Sequence, residues 1–190
     1  HVHAHPVLTI PPGTSTTKQL WAFNDREAPF DDVRVRQALY RAIDREAILS
    51  AVWDGYGQVI GSMVPPTDPW YVDLSEQNAY DPEGAQALLT EAGVTDLSIS
   101  VDYIPDDTTE AILALLTKNL AAVGVTLTPN PIDDATWYQK VYTDHDFQTT
   151  LMGHVNPRDV LWYANPDFYW GYDNAQVQQW VADAAQATTE

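Results

Sequence analysis

The densest group of chemically capable side chains lies in GHVNPRDVLWYANPDFYWGY, residues 153–172. Trp162, Tyr163, Phe168, Tyr169, Trp170 and Tyr172 fall within eleven residues, beside His154, Asn156, Arg158 and Asp159. No helical or strand period organises these rings. Aromatic side chains offer broad apolar walls with polar tips, and a few charged or amide groups beside them can orient an amphiphilic solute. Trp162, Tyr169 and Trp170 are the candidate walls. Arg158 or Asn156 would meet acceptors, and Asp159 or Asp107 a ligand cation. Plain packing competes for every ring, as a satellite cluster that pins the loop.

Bond-breaking chemistry has less support. Asp106–Asp107 and Asp133–Asp134 are adjacent acid pairs, and paired carboxylates cleave glycosides. Adjacent residues rarely converge on one bond, and helix capping accounts better for the second pair. No Gly-x-Ser-x-Gly elbow, His-Glu-x-x-His pair or phosphate loop occurs. The expectation is a binding protein, not an enzyme, with no cofactor. His1, His3 and His5 alternate and would share one face of a strand, where imidazoles can hold a metal. They sit at a chain end, where backbones fray, so no metal is expected.

Regular elements must position these groups. PFDDVRVRQALYRAIDREAILSAVW, from Pro29 to Trp53, reads as two short helices in tandem. Asp31 or Asp32 can cap the first, and Val35, Ala38, Leu39 and Ala42 repeat at helical spacing. Asp44 caps the second, Ile48, Leu49, Val52 and Trp53 form its apolar face, and Gly55 stops it. Asp81-Pro82-Glu83 opens another helix that ends at Gly93. A helix over 108–123 carries Ile112, Leu115, Leu116, Leu120 and Val123, and Gly124 terminates it. Asp133 or Asp134 caps a helix over 135–142, and a last one begins near Asp173-Asn174. Strands are expected at 7–10, 20–23, 97–103, 125–128 and 147–152, the last ending at Gly153. Residues 55–80 are Gly-, Pro- and Asp-rich and irregular, the kind of long loop that is functional or wraps other parts of a protein.

Strand–helix–strand alternation over 97–152 argues for an α/β fold with a partly parallel sheet. Ligands of such sheets gather beyond the carboxyl ends of strands. Two loops qualify, 104–108 and 153–172, and they adjoin if their strands are neighbours.

Composition narrows the partners. The 190 residues carry 27 acids against 9 bases, a net charge of -18. Phosphate binding needs a basic face, so nucleic acid is excluded as a partner, and an anionic membrane surface would repel the chain. The acidity suits a protein working outside the cytoplasm. Without cysteine there is no disulfide, thiolate nucleophile or thiolate-held metal. No apolar run reaches the roughly 18 residues of a membrane-spanning helix.

The literal residues say more than their periods. PFDDVRVRQAL-x-x-AIDREAI-x-x-AVW-x-GYG, the VPP of Val64–Pro66, the YDPE-x-A-x-ALL-x-EAG run of Tyr80–Gly93 and the WYANPDFYWGYDNAQV lead-in to the last helix resemble the extracytoplasmic solute-binding proteins of the dipeptide, oligopeptide and nickel ABC importers. The resemblance runs from Trp21 to Trp180. It implies a periplasmic-binding-protein-like lobe of type II, a mixed, partly parallel sheet flanked by helices. Residues 1–190 would be a single domain, most of the second, C-terminal lobe of a two-lobed protein, with the first lobe and the C-terminal end absent. It further implies capture of an oligopeptide or similar solute between two lobes, delivery to a membrane permease, and a place in the periplasm or on the outer face of the cell membrane, since members often carry a lipid anchor. An oligosaccharide-binding protein or carbohydrate-binding module is the alternative.

The same resemblance sets up conflicts. Peptide-binding members follow the strand before this aromatic loop with Gly-Trp-x-x-Asp, whose Asp takes the ligand ammonium. Here Gly153 matches, His154 replaces the Trp and Pro157 stands at the Asp position, leaving Asp159 as the nearest substitute. Dipeptide-binding members hold the carboxylate with an Arg after the strand that ends here at Tyr103. Pro105, Asp106, Asp107 and Thr108 supply no base, so a longer peptide, a sugar or a cationic solute fits more easily than a dipeptide.

Overall fold

A computed structural model of the chain describes residues 15–187. The expected strand at 7–10 and the three alternating histidines lie outside the described residues. Among the described residues four strands, β1 (Lys18–Phe23), β2 (Ser98–Tyr103), β3 (Thr126–Pro131) and β4 (Thr149–His154), form one sheet in the order β1-β4-β2-β3. β4, β2 and β3 run parallel, and β1 runs antiparallel to β4 at one edge. The fold is therefore the expected mixed, partly parallel α/β sheet flanked by helices.

Among the described residues six α-helices flank it: α1 (Val33–Arg41), α2 (Arg45–Trp53), α3 (Pro82–Glu91), α4 (Asp107–Ala122), α5 (Asp134–Trp137) and α6 (Ala175–Gln186). Short acids start most of them. Asp32, Asp44, Asp81, Asp106 and Asp133 each accept a backbone N–H of the first turn, and Asn174 does the same for α6. Each cap satisfies donors that the helix cannot satisfy itself. The open choices at 31/32 and 133/134 resolve to Asp32 and Asp133.

Successive residues of a strand point to opposite faces, and this sheet uses both. On one face Ile99, Val101, Leu127 and Leu151 pack with Val35, Ala38 and Leu39 of α1, Ala85 and Leu89 of α3, and Ile112, Leu113, Leu116 and Leu120 of α4. On the other, Leu20, Ala22 and Met152 pack with Trp137, Val141, Phe147, Phe168, Tyr169 and Trp170. β1 divides cleanly: Trp21 and Phe23 go to the first face, Leu20 and Ala22 to the second.

Several elements depart from their expected bounds, and β1 begins at Lys18 rather than Leu20. β3 continues through Pro129 and Pro131, which it tolerates because it is an edge strand with one partner. β4 passes through Gly153 to His154, because Gln19 and Lys18 of β1 extend the ladder. The helix over 135–142 is one α-turn followed by a wider π-turn over Tyr138–Thr143, where Asp144 N–H reaches the Gln139 carbonyl at 2.9 Å. In α6 no residue is buried, and Trp180 is mostly exposed.

Candidate functional site at the strand ends

Because β2, β3 and β4 are parallel, their carboxyl ends share one edge of the sheet. Val101, Asp102 and Tyr103 pair with Thr149, Thr150 and Leu151, so β2 and β4 are direct neighbours. The loops after them, residues 104–106 and 155–158, leave the same edge. The antiparallel β1 begins there too, with Lys18 opposite His154.

A buried ion pair organises this edge. The Lys18 ammonium donates to the carbonyls of Thr16 (2.9 Å) and Asn156 (2.7 Å). It also lies 3.0 Å from Asp159 Oδ2, and neither side chain is exposed. That third contact is a charge contact rather than an aligned hydrogen bond, since neither carboxylate oxygen of Asp159 has a well-directed donor. His154 Nδ1 stands 3.5 Å from Asp159 Oδ1, and its Nε2 is 2.8 Å from the Tyr169 hydroxyl. Burial pushes the imidazole of His154 below its ordinary value against the pull of Asp159. The neutral ring is thus favoured, and with Nδ1–H toward Asp159 its Nε2 accepts from Tyr169. Burial pushes the Tyr169 hydroxyl up and that of Tyr163 up to about 12, so both phenols keep their protons.

The aromatic run divides into inner and outer rings. Phe168, Tyr169 and Trp170 are buried on the second face of the sheet. Tyr163 is half-buried and stacks on Trp170 at 4.9 Å. Trp162 stands outermost, 36% exposed, stacked on Phe168 at 4.6 Å and 13°. Arg26 holds the run from behind by donating to the carbonyls of Pro166, Phe168 and Tyr169. Close approach by that guanidinium accounts for Gly171, whose φ is +68° and where a Cβ would lie 2.4 Å from it.

The candidate residues therefore divide. Asn156, Arg158 and Trp162 are exposed, as is Asp107 at the start of α4. Asp106 spends its carboxylate on the N–H groups of Thr108 and Thr109 and on the Thr109 hydroxyl, which lowers its pKa. Asp159 is corrected from an open carboxylate to a buried one committed to Lys18. Tyr169 and Trp170 are likewise corrected from open walls to interior packing, because the second face of the sheet needs covering. Tyr163 and His154 lie between.

Two residues escaped the sequence reading. Lys18 shares its strand face with Leu20 and Ala22, so simple alternation already aimed this rare base inward. Trp70 sits in the long irregular loop, 49% exposed, with the Arg158 guanidinium 5.1 Å from its ring centre. Nothing in the local pattern announces it. That loop also sends Met63 into the aromatic cluster, so it wraps the second face as its length suggested. Among the described residues no group of three acids and histidines is arranged to hold a metal, and no helix is long and apolar enough to cross a membrane.

Comparison with known proteins gives a consistent picture. The model of "bacterial extracellular solute-binding proteins, family 5 Middle" matches residues 3–179. A dipeptide-binding protein of Escherichia coli is 35% identical over 143 residues, covering 70% of this chain and 26% of the relative. A heme-binding protein A of Haemophilus influenzae is 50% identical over 72 residues, 38% of this chain and 13% of that one. The crystal structure of a dipeptide-binding protein from a Pseudoalteromonas species, in complex with Met-Leu, superposes with a TM-score of 0.76 at 25% identity over 90% of this chain and 37% of that one. The chain thus spans about a quarter of the length of the E. coli relative.

Proposed function

The chain belongs to family 5 of the bacterial extracellular solute-binding proteins, and from that premise we propose that it forms most of the second lobe of a two-lobed trap serving an ABC importer. The cargo is a peptide. It is gripped between this lobe and a first lobe of the same polypeptide, outside the cytoplasm, and handed to a membrane permease. No bond is broken. Ligand contacts on both lobes favour the closed arrangement, and the difference in affinity between open and closed states drives closure.

The observation that carries this reading is the parallel pairing of β2 with β4, which brings the 104–107 and 155–158 loops to one open edge. There Asp107 would meet a peptide ammonium, Asn156 and Arg158 its acceptors, and Trp162 an apolar side chain. Asp106 caps the helix that begins with Asp107, and His154, Asp159, Tyr163, Tyr169 and Trp170 support the 155–158 loop from beneath.

Calorimetry with a tripeptide mixture tests the proposal. The full-length protein should bind at least tenfold more tightly than residues 1–190 alone, an energy difference of about 1.4 kcal/mol or more. Equal affinity would refute the two-lobed trap. Binding of maltotriose or hemin, with no peptide bound, would refute the peptide cargo and leave the trap standing.

A further inference from the structure

Resting on that reading, we propose that Arg158 is the fork that takes a carboxylate of the cargo, with Trp70 as its backing and Lys18 as the residue that presents it. The other arginines are all engaged by oxygens of the protein. Arg26 is held by three carbonyls, Arg34 by Asp32, Arg36 by Asp25 and the Phe30 carbonyl, Arg41 by Asn78, and Arg45 by Tyr40 and two carbonyls. Arg158 is exposed, and among the described residues no carboxylate, carbonyl or hydroxyl accepts from it. Its contact is the face of Trp70. A guanidinium held over a ring by its charge spends none of its N–H donors there, so the planar fork remains available to the two oxygens of a carboxylate.

The loop is built to hold it there. Lys18 Nζ grips Asn156 at its carbonyl and Asp159 at its carboxylate, one on each side of Pro157-Arg158. The proline restricts the backbone between them, so this two-residue tip stands out from a buried anchor. The same arrangement removes the obvious internal partner. Asp159, next to Arg158 in the chain, is turned inward and its charge is met by Lys18. In a chain of net charge -18, a surface arginine without an acid partner is a position kept open for an anion from outside.

The test uses the full-length protein and two tripeptide mixtures, one with free C-terminal carboxylates and one C-amidated, with retained peptide quantified by mass spectrometry after equilibrium dialysis. The acid mixture should be retained about tenfold better, the scale of one charge-assisted pair. Arg158→Gln should bring the ratio close to one, Arg158→Lys should keep part of the preference, and Trp70→Ala should weaken it. An unchanged preference in Arg158→Gln, or none in the unaltered protein, overturns the assignment while the peptide reading survives. Retention of neither mixture by the unaltered protein overturns both.

Discussion

On one face of the sheet Ile99, Val101, Leu127 and Leu151 meet α1, α3 and α4 through aliphatic side chains set at helical and strand periods. On the opposite face Leu20, Ala22 and Met152 meet aromatic rings from an irregular loop, and Lys18, Asp159, His154 and Tyr169 line its rim at the strand ends. The first face is held by transfer of apolar surface from water, which is non-directional and tolerant of small shifts. The second depends on partners arriving together, because a buried charge is costly when unpaired. The first face therefore yields gradually to substitution, whereas the second, which presents the exposed groups, is sensitive to loss of a single partner.

The largest effect expected from breaking this contrast is at Lys18. Lys18→Met strands the Asp159 carboxylate and should cost about 3–5 kcal/mol in urea denaturation. Lys18→Met with Asp159→Leu should recover most of that loss, since two apolar groups replace the pair. Failure of the double variant to recover would mean that the carbonyl contacts at Thr16 and Asn156, rather than charge pairing, secure the loop.

On the aliphatic face the single loss should be somewhat smaller, with no partner to remove in compensation. Leu120→Ala, at a fully buried position in α4, should cost about 2–4 kcal/mol through lost contact and a residual cavity. The ratio of acid to amide retention at the strand ends should be unchanged by it. A changed ratio would show that the two faces are energetically coupled.

The smallest effect is on pH dependence. Burial holds His154 below its ordinary value of 6.5, so protonation costs more in the folded than in the unfolded chain. Stability from this group is complete above pH 6.5 and declines as pH falls below it. Asp25, in the turn after β1, is raised by burial from 3.8 to about 6 despite Arg36 and Arg26. Its contribution is complete below pH 3.8 and is lost as pH rises through about 6. His154→Gln should therefore lessen the decline on the acid side, and Asp25→Asn the loss with rising pH. Melting temperatures from pH 4 to 7 would show the two opposite tilts, and parallel profiles for both variants would contradict the burial of these groups.

The aliphatic face was legible before any coordinates. Val35, Ala38, Leu39 and Ala42, the caps Asp44 and Asp81, and the stops at Gly93 and Gly124 each depend on residues within a turn or two, so near-neighbour sterics and hydrogen bonding suffice to place them. The neighbouring strand ends were legible in part, because alternating strands and helices imply a parallel sheet whose loops share an edge. The choice of polar residue to point outward was not. Asp159 and Arg158 are adjacent and equally plausible as ligand groups, yet one is sealed beneath the loop and the other lies open on Trp70. That choice depends on Lys18, some 140 positions away in the chain, and on a tryptophan in a loop without period. β4 likewise gained its last two residues from the ladder offered by β1. Helices close their hydrogen bonds locally, so their residues announce them. A buried charge is tolerable only where a distant opposite charge meets it, and chain folding alone brings the two together.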